Sequence, residues 1–268
     1  MTITGSLYAI SLYGLGRRIL VAAGLLVLLT GCAGRTPAVA DVYDAAPRNA
    51  AEAYANLGRQ YLLRDSLDLA EARLQHAITL NPDLPAAHHD LAVVYTKWGN
   101  IEAADKEYLL ALKLVPNDPT TLYNYATLLY NQGHYPEAEA QLQIVVANPK
   151  ADNRAQAYEA LGLIALKANN STKAESYFGQ ALGIAPYQPR TLLELAQLSL
   201  NAGHLPLART YFQRYQEIAH DTPEGLWLGV LLERAQGDEK MVADYSQRLR
   251  VKFPDSLQAR QLYAERHN

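Results

Sequence analysis

Histidine side chains are the groups through which this chain could most readily bind a metal. His88 and His89 are adjacent on one predicted helix, where neighbouring side chains point about 100° apart and do not converge on one ion. His134 and His204 fall in predicted turns of separate structural repeats. Because packed helices lie about 8–10 Å apart, these two are too distant to share a metal. We therefore predict that His134 and His204 are surface turn histidines, and we predict no metal site and no cofactor.

Motifs of known enzyme chemistry are absent from the sequence. It contains no His-Glu-x-x-His zinc motif, no phosphate loop ending in Gly-Lys-Ser/Thr and no Gly-x-Ser-x-Gly nucleophile turn. The chain has one cysteine, which rules out an intrachain disulfide and a cysteine-based zinc site. Catalysis would need a site built from distant residues, so we expect no enzymatic activity and no small-molecule substrate.

The single cysteine, Cys32, ends a pattern that is typical of exported lipoproteins. Arg17-Arg18 precede an uncharged run at 19–29, whose 11 residues are too few for a spanning helix of about 20 residues. Leu29-Thr30-Gly31-Cys32 then resembles the bacterial lipobox, which implies lipidation of the thiol and cleavage just before it. We predict a lipoprotein signal peptide over 1–31. The alternative is an ordinary signal peptide followed by a buried free cysteine.

The residues after Cys32 predict where the lipid anchor resides. A bacterial lipoprotein normally carries three acyl chains, and two or more chains hold a protein stably to a bilayer. Asp in the position of Ala33 commonly signals inner-membrane retention in Gram-negative lipoproteins, so alanine favours the periplasmic face of the outer membrane. Residues 33–49 are rich in Ala, Pro and polar side chains, and we predict a lipidated cysteine and flexible tether over 32–49.

The net charge argues against a nucleic-acid partner. The formal net charge is −3, and it becomes −5 when residues 1–31, with Arg17, Arg18 and no acidic residue, are removed. Phosphate backbones are bound by clustered Lys and Arg. We therefore predict no nucleic-acid binding.

A period of about 34 residues runs through the remaining sequence. A large residue followed by a small one recurs with steps of 34, 34, 36 and 34 residues. Twelve residues after each small residue comes an alanine, and four residues further comes a large apolar side chain. The pairs are Leu57-Gly58, Leu91-Ala92, Tyr125-Ala126, Leu161-Gly162 and Leu195-Ala196; the alanines are Ala70, Ala104, Ala138, Ala174 and Ala208; the large residues are Leu74, Tyr108, Leu142, Phe178 and Phe212.

This pattern resembles the tetratricopeptide repeat, a pair of antiparallel helices. Small residues are needed where the two helices cross closely, and proline separates one repeat from the next because it does not continue a helix. We predict an all-α, right-handed solenoid of about six repeats over 50–268, with a generic helical bundle as the alternative. The predicted repeats are 51–84, 85–118, 119–152, 155–188, 189–222 and a degenerate 223–252, followed by a capping helix at 255–266.

The first helix of each such repeat lines a concave groove, mainly through template positions 2, 5, 9, 12 and 13. Leu62, Leu63 and Val93 would make the N-terminal part of this groove apolar, which suits an amphipathic helix from a partner. Alternatively, Leu62 packs inside its repeat or against the tether. The predicted partner-binding residues are Ala55, Arg59, Leu62, Leu63, His89, Val93, Thr96, Tyr123 and Tyr130.

Several phrases resemble a more specific family, the PilF/PilW type IV pilus biogenesis lipoproteins. The most specific phrases lie outside the repeat template, at 226–238 and 249–256. The resemblance covers the chain from Cys32 to about Arg260. It implies a pilotin, a protein that binds the pilus secretin in the periplasm and supports its placement and oligomerisation in the outer membrane. It also implies that some members carry a pair of cysteines in repeats three and four. The matching positions here are Tyr130 and Ile164, so a disulfide bond between them is absent from this chain.

Two other functions are compatible with the sequence. The chain could be an adaptor in another envelope machine, such as outer-membrane protein assembly or a peptidoglycan-associated complex. It could also be an enzyme with a site that no motif reveals. We expect the partner to be a protein, and the type IV pilus secretin is the one we favour. We also expect the soluble form of the protein to be a monomer.

Overall fold

A computed structural model describes residues 39–264, and it describes side chains for 49–264. Between Val39 and Ala264 the chain forms thirteen α-helices and no strand. Residues from Tyr43 onward belong to one compact unit, which all the contacts below concern. The predicted signal peptide at 1–31 and Cys32 lie outside the described residues.

The helices follow one another with short connections. They are α1 Val39–Leu63, α2 Leu67–Leu80, α3 Pro85–Trp98, α4 Ile101–Leu114, α5 Pro119–Asn131, α6 Tyr135–Ala147, α7 Arg154–Lys167, α8 Ser171–Ile184, α9 Pro189–Asn201, α10 Leu205–Ile218, α11 Pro223–Gln236, α12 Glu239–Lys252 and α13 Leu257–Ala264. Consecutive helices pack as antiparallel pairs, and each pair contacts the next. The predicted all-α repeat solenoid is confirmed. None of the described helices is both long and apolar enough to cross a membrane.

The first helix is longer than predicted. It begins at Val39, so the prediction of a flexible tether is wrong for residues 39–49, while 33–38 lie outside the described residues. This segment contains three alanines and no glycine, a composition that favours helix and outweighs the single Pro47.

Close crossings between paired helices explain the small residues of the period. A Cβ atom placed on Gly58 would lie 2.6 Å from Cγ of Leu74, and one on Gly229 would lie 2.8 Å from Cδ1 of Tyr245. Gly162 faces the ring of Phe178 in the same way. A larger side chain would therefore force the two helices apart. The spacing of sixteen residues between the partners is the distance along the chain around one helical hairpin.

The turn inside each repeat uses a residue with positive φ. Glycine occupies this position in four repeats and avoids the steric cost that a Cβ atom brings to left-handed backbone. Repeats one and four use Asp65 and Asn169 instead, at φ of 58° and 56°. Short polar side chains tolerate this conformation better than other residues. The four glycines are Gly99, Gly133, Gly203 and Gly237.

The core lies between the helices of each pair and between successive pairs. Tyr108 and Phe178 are the largest fully buried side chains of the described residues. Burial of such an apolar side chain contributes about 1.5–3 kcal/mol, and each repeat depends on its neighbours for that burial. At the C-terminal end α13 packs on α11 and α12 through buried Ala259 and Leu262, so it covers part of the last repeat.

Candidate partner-binding groove

The first helices of the repeats lie side by side. Helix α3 contacts α5, α5 contacts α7 and α9 contacts α11. One face of each of these helices is therefore available to form a continuous surface, which we call the groove and which comprises α1, α3, α5, α7, α9 and α11. The structure buries some of the nine residues predicted to line this groove and exposes others.

Ala55 and Leu62 are core residues, and their prediction as partner-binding residues is wrong. Ala55 is buried, and only 9% of Leu62 is exposed. Both belong to the apolar cluster that contains Leu74 and Val94. The helical position of Leu62 turns it toward α2 and α3 instead of the solvent. Leu63, one residue further along α1, is 80% exposed and free to contact a partner.

Arg59 ties the first repeat to the second through an ion pair. Its Nε donates to Oδ2 of Asp90 at 2.8 Å, and the Asp90 side chain is only 6% exposed. Burial raises the pKa of Asp90, and the nearby charge of Arg59 opposes that rise. The Arg59 side chain is 45% exposed, and its Nη groups take no part in the bond to Asp90. Arg59 thus both fixes α1 against α3 and presents donors.

His89 belongs to a hydrogen-bonded chain that fixes its protonation. The Thr121 hydroxyl donates to Asp118 Oδ2 at 2.6 Å, so it accepts from Nδ1 of His89 at 3.0 Å. The amide of Asn124 then donates to the unprotonated Nε2 at 3.3 Å. Burial lowers the pKa of His89, in agreement with a neutral ring. The histidine therefore connects α3 to α5 as a neutral group.

Val93 and Thr96 contribute mainly to structure. Val93 is half-buried and packs against the core clusters on both sides of α3. The Thr96 hydroxyl donates to the carbonyl of Ala92 at 2.8 Å, which satisfies it within its own helix. Neither side chain presents an unused polar group to the groove.

A cavity of about 460 Å³ lies at the edge of this region. It joins side chains from α1, α3, α4 and α5, and its polar members, apart from Thr120, belong to the two networks above. The lining residues are Arg59, Pro85, Ala86, His89, Asp90, Ala111, Val115, Asp118, Thr120 and Thr121.

Tyr123 and Tyr130 meet further along the groove. Both line a cavity of about 140 Å³ between α5 and α7, together with Leu163, Glu159 and Arg190. Tyr130 also packs edge-on against Tyr135, with ring centroids 5.3 Å apart. Burial raises the pKa of Tyr123. The two tyrosines are half-buried and present part of their rings to the groove.

The polar partners within the groove are not evident from the sequence. Asp90, Thr121 and Arg190 follow no repeat template, and their roles depend on which side chains of adjacent repeats meet. A signal existed for one of them, since Asp118-Pro119 followed by Thr121 is typical of a capped helix start. The Asp118 carboxylate does accept from the Thr121 amide at 2.7 Å.

No group of three or more His, Cys, Asp or Glu side chains within residues 49–264 is arranged to hold an ion. His134 and His204 are exposed residues that immediately precede α6 and α10.

Comparison with known families identifies the repeats. Models described as tetratricopeptide repeat match residues 85–118, 123–189 and 165–226. These matches coincide with the helix pairs from α3 to the start of α11.

Individual proteins resemble the chain over a greater length. The type IV pilus assembly protein PilF of Pseudomonas aeruginosa is 30% identical over 242 residues, which cover 90% of this chain and 96% of PilF. A solved structure of Pseudomonas aeruginosa PilF superimposes with a TM-score of 0.78 at 30% identity, over 82% of this chain and 99% of that one.

A third relative shares the fold at lower identity. The structure of PilW, described as a widely conserved type IV pilus biogenesis factor, gives a TM-score of 0.71 at 23% identity, over 80% of this chain and 98% of PilW. Since the relation to PilF extends over nearly the whole of that protein, the chain belongs to the tetratricopeptide-repeat family of type IV pilus biogenesis that includes PilF.

Proposed function

We propose that this chain is a lipid-anchored pilotin of the type IV pilus system. In this proposal Cys32 attaches it to the periplasmic face of the outer membrane, and its groove binds the pilus secretin. Binding then supports the localisation and oligomerisation of the secretin in that membrane. The relation to PilF over 96% of its length is the observation that carries the proposal, and the lipobox at 29–32 supports the anchor.

The N-terminal end of the groove suits the apolar face of a helix. Leu63 is an exposed apolar side chain at the end of α1, and the half-exposed Arg59 guanidinium lies one helical turn before it. An amphipathic helix with an acidic or amide side chain beside its apolar face would contact both. Tyr123 and Tyr130 provide aromatic contacts further along, and tyrosine is often an anchor in protein interfaces.

The polar groups at this end favour recognition over chemistry. Asp90 is paired with Arg59, and Asp118 accepts from Thr121. His89 is held neutral with both ring nitrogens engaged. A general base needs a free lone pair directed at a substrate, whereas these groups hold neighbouring repeats in a fixed arrangement. A rigid, preformed surface lowers the entropic cost of binding a protein segment.

Deletion of the gene tests the proposal. We expect heat-resistant secretin multimers to disappear from the outer-membrane fraction and to return when the wild-type chain is supplied. Intact multimers in the outer membrane of the deletion strain would contradict a pilotin function. Capture with the full-length chain should then recover another envelope complex, such as the outer-membrane protein assembly machinery, if the chain is an adaptor there.

A further inference from the structure

A third cavity lies near the C-terminal end of the solenoid, where α9, α11 and α13 meet. Its volume is about 190 Å³, several times the 30 Å³ or so that one water molecule occupies in the liquid. It combines apolar side chains with carboxylate and amide groups. The lining residues are Leu193, Glu194, Gln197, Glu224, Trp227, Leu228 and Gln258.

Glu194 is distinctive because its carboxylate has no hydrogen-bond or ion-pair partner among the described residues. It is half-buried on α9, yet it forms no hydrogen bond and no ion pair with any residue of the described chain. Every other buried or half-buried carboxylate in residues 49–264 accepts at least one hydrogen bond. Those carboxylates belong to Glu71, Asp90, Asp105, Glu107, Asp118, Glu139, Glu159, Asp221 and Glu233.

The missing partner carries an energetic cost. A carboxylate that is partly removed from water without a compensating donor loses hydration free energy that nothing replaces. Burial accordingly raises the pKa of Glu194; the charges of Arg190 and Lys167 oppose this rise, and the negative charge of Glu159 adds to it. A cation delivered from outside would restore the lost interaction. Relief of this desolvation cost would then add to the free energy of binding.

Two neighbours make the cavity suitable for such a cation. Glu224, exposed in the first turn of α11, accepts from Nε2 of Gln258 at 3.2 Å through one oxygen, and its second oxygen remains for another donor. The Trp227 indole already attracts a guanidinium, since Cζ of Arg234 lies 5.7 Å from its ring centroid. Tryptophan is the side chain that binds organic cations best through its ring face.

We propose that this cavity binds an arginine or lysine side chain of a partner protein. Glu194 and Glu224 pair with the cation, and the indole of Trp227 packs along its aliphatic stem or charged head. This surface is separate from the N-terminal end of the groove, and the proposal holds whichever protein the chain binds there. A metal ion is disfavoured, because two carboxylates and an indole do not provide the oxygen ligands that a hard cation needs.

Tryptophan fluorescence provides a direct test on the full-length chain in detergent. The sequence has two tryptophans, so Trp98→Phe leaves Trp227 as the only reporter. The probe is the capped peptide Gly-Leu-Arg-Leu-Gly, and the matched peptide replaces arginine with neutral, nearly isosteric citrulline. We expect saturable binding of the arginine peptide, weakened about tenfold or more, equal to about 1.4 kcal/mol, by citrulline or by Glu194→Gln.

Glu175→Gln serves as the control variant. Glu175 is an exposed acid on α8 and does not line the cavity. Its substitution changes the net charge by the same amount as Glu194→Gln and should leave the affinity for the peptide unchanged. Glu194→Gln should fold at least as well as the parent, because it removes an unpaired charge. The proposal would be overturned if the arginine and citrulline peptides bound equally well, or if Glu194→Gln bound the arginine peptide as tightly as the parent does. It would also be overturned if Glu175→Gln lost as much affinity as Glu194→Gln.

Discussion

The imidazole of His88 is held between the carboxylate of Glu107 and the backbone carbonyl of Pro82. Nδ1 lies 2.6 Å from Oε2 of Glu107, and Nε2 lies 2.8 Å from the Pro82 oxygen. Both ring nitrogens therefore face acceptors, an arrangement that only the doubly protonated ring satisfies. The buried charge pair with Glu107 joins α3 to α4 within the second repeat, and the bond to Pro82 joins α3 to the loop that ends the first repeat.

Stability should depend on pH through His88. The hydrogen bond to Glu107 raises the pKa of His88 above 6.5, against the opposing effect of burial. A group with a raised pKa contributes its full stabilisation below the unfolded-state value and loses it as pH rises through the folded-state value. His89 acts in the opposite direction, since its pKa is lowered. Each residue must therefore be replaced alone.

We expect His88→Gln to lower the free energy of unfolding at pH 5.5 by about 1–3 kcal/mol, because the buried charge-assisted bond is lost. The loss should be smaller at pH 8.5, where the wild-type ring is closer to neutral. Urea unfolding at both pH values measures the difference. The control is His134→Gln, a change at an exposed turn, which should have little effect on the free energy of unfolding at either pH. If His88→Gln lowered this free energy equally at both pH values, the ring of His88 would not be charged.

Two helical glycines should respond to alanine in opposite directions. In Gly229→Ala the new Cβ would lie 2.8 Å from the ring of Tyr245, and we expect a loss of about 1–3 kcal/mol from overpacking. In Gly179→Ala the new Cβ meets no atom within 4 Å, so a gain of about 0.5–1 kcal/mol is expected from helix propensity. Thermal unfolding of the two variants compares them. A stabilised Gly229→Ala would mean that the helix crossing is not tight there.

Leu63→Glu should weaken partner binding while preserving the fold. Since 80% of Leu63 is exposed, the charge enters no core, whereas an apolar contact with the partner would be lost. We expect at least a tenfold weaker interaction with the secretin, or about 1.4 kcal/mol, in a pull-down or titration. Val251→Glu is the matched control, because Val251 is 72% exposed at the opposite end of the solenoid. Equal affinities for both variants would exclude Leu63 from the interface.

The repeat architecture was predictable because steric contact fixes it residue by residue. Gly58 and Gly229 admit no larger side chain beside Leu74 and Tyr245, so the sequence carries a visible period. The start of α1 was not predictable in the same way. Residues 39–49 have a composition that suits both helix and coil, and Pro47 argued for coil.

The groove was predictable only in part. A repeat template states which helix faces the groove, but it does not state how deeply a given side chain is covered by its neighbours. Leu62 is covered by α2 and α3, whereas adjacent Leu63 is not. The contact between His89 and Thr121 joins residues 32 positions apart, and no local pattern signals such a meeting. The unpaired Glu194 becomes evident only when the partners of all other carboxylates are known.

The lipid anchor makes a prediction that two adjacent substitutions test separately. Cys32→Ser removes the thiol that would be acylated, so the protein should leave the membrane fraction and become soluble, with the repeats still folded. Ala33→Asp keeps the thiol and changes only the residue that directs sorting, so the protein should stay membrane-bound and move from the outer to the inner membrane. Fractionation on a sucrose gradient, with circular dichroism of the purified variants, measures both. If Cys32→Ser remains in the membrane fraction, the protein is not held there by this cysteine, and if Ala33→Asp stays in the outer membrane, the residue after the cysteine does not decide its location.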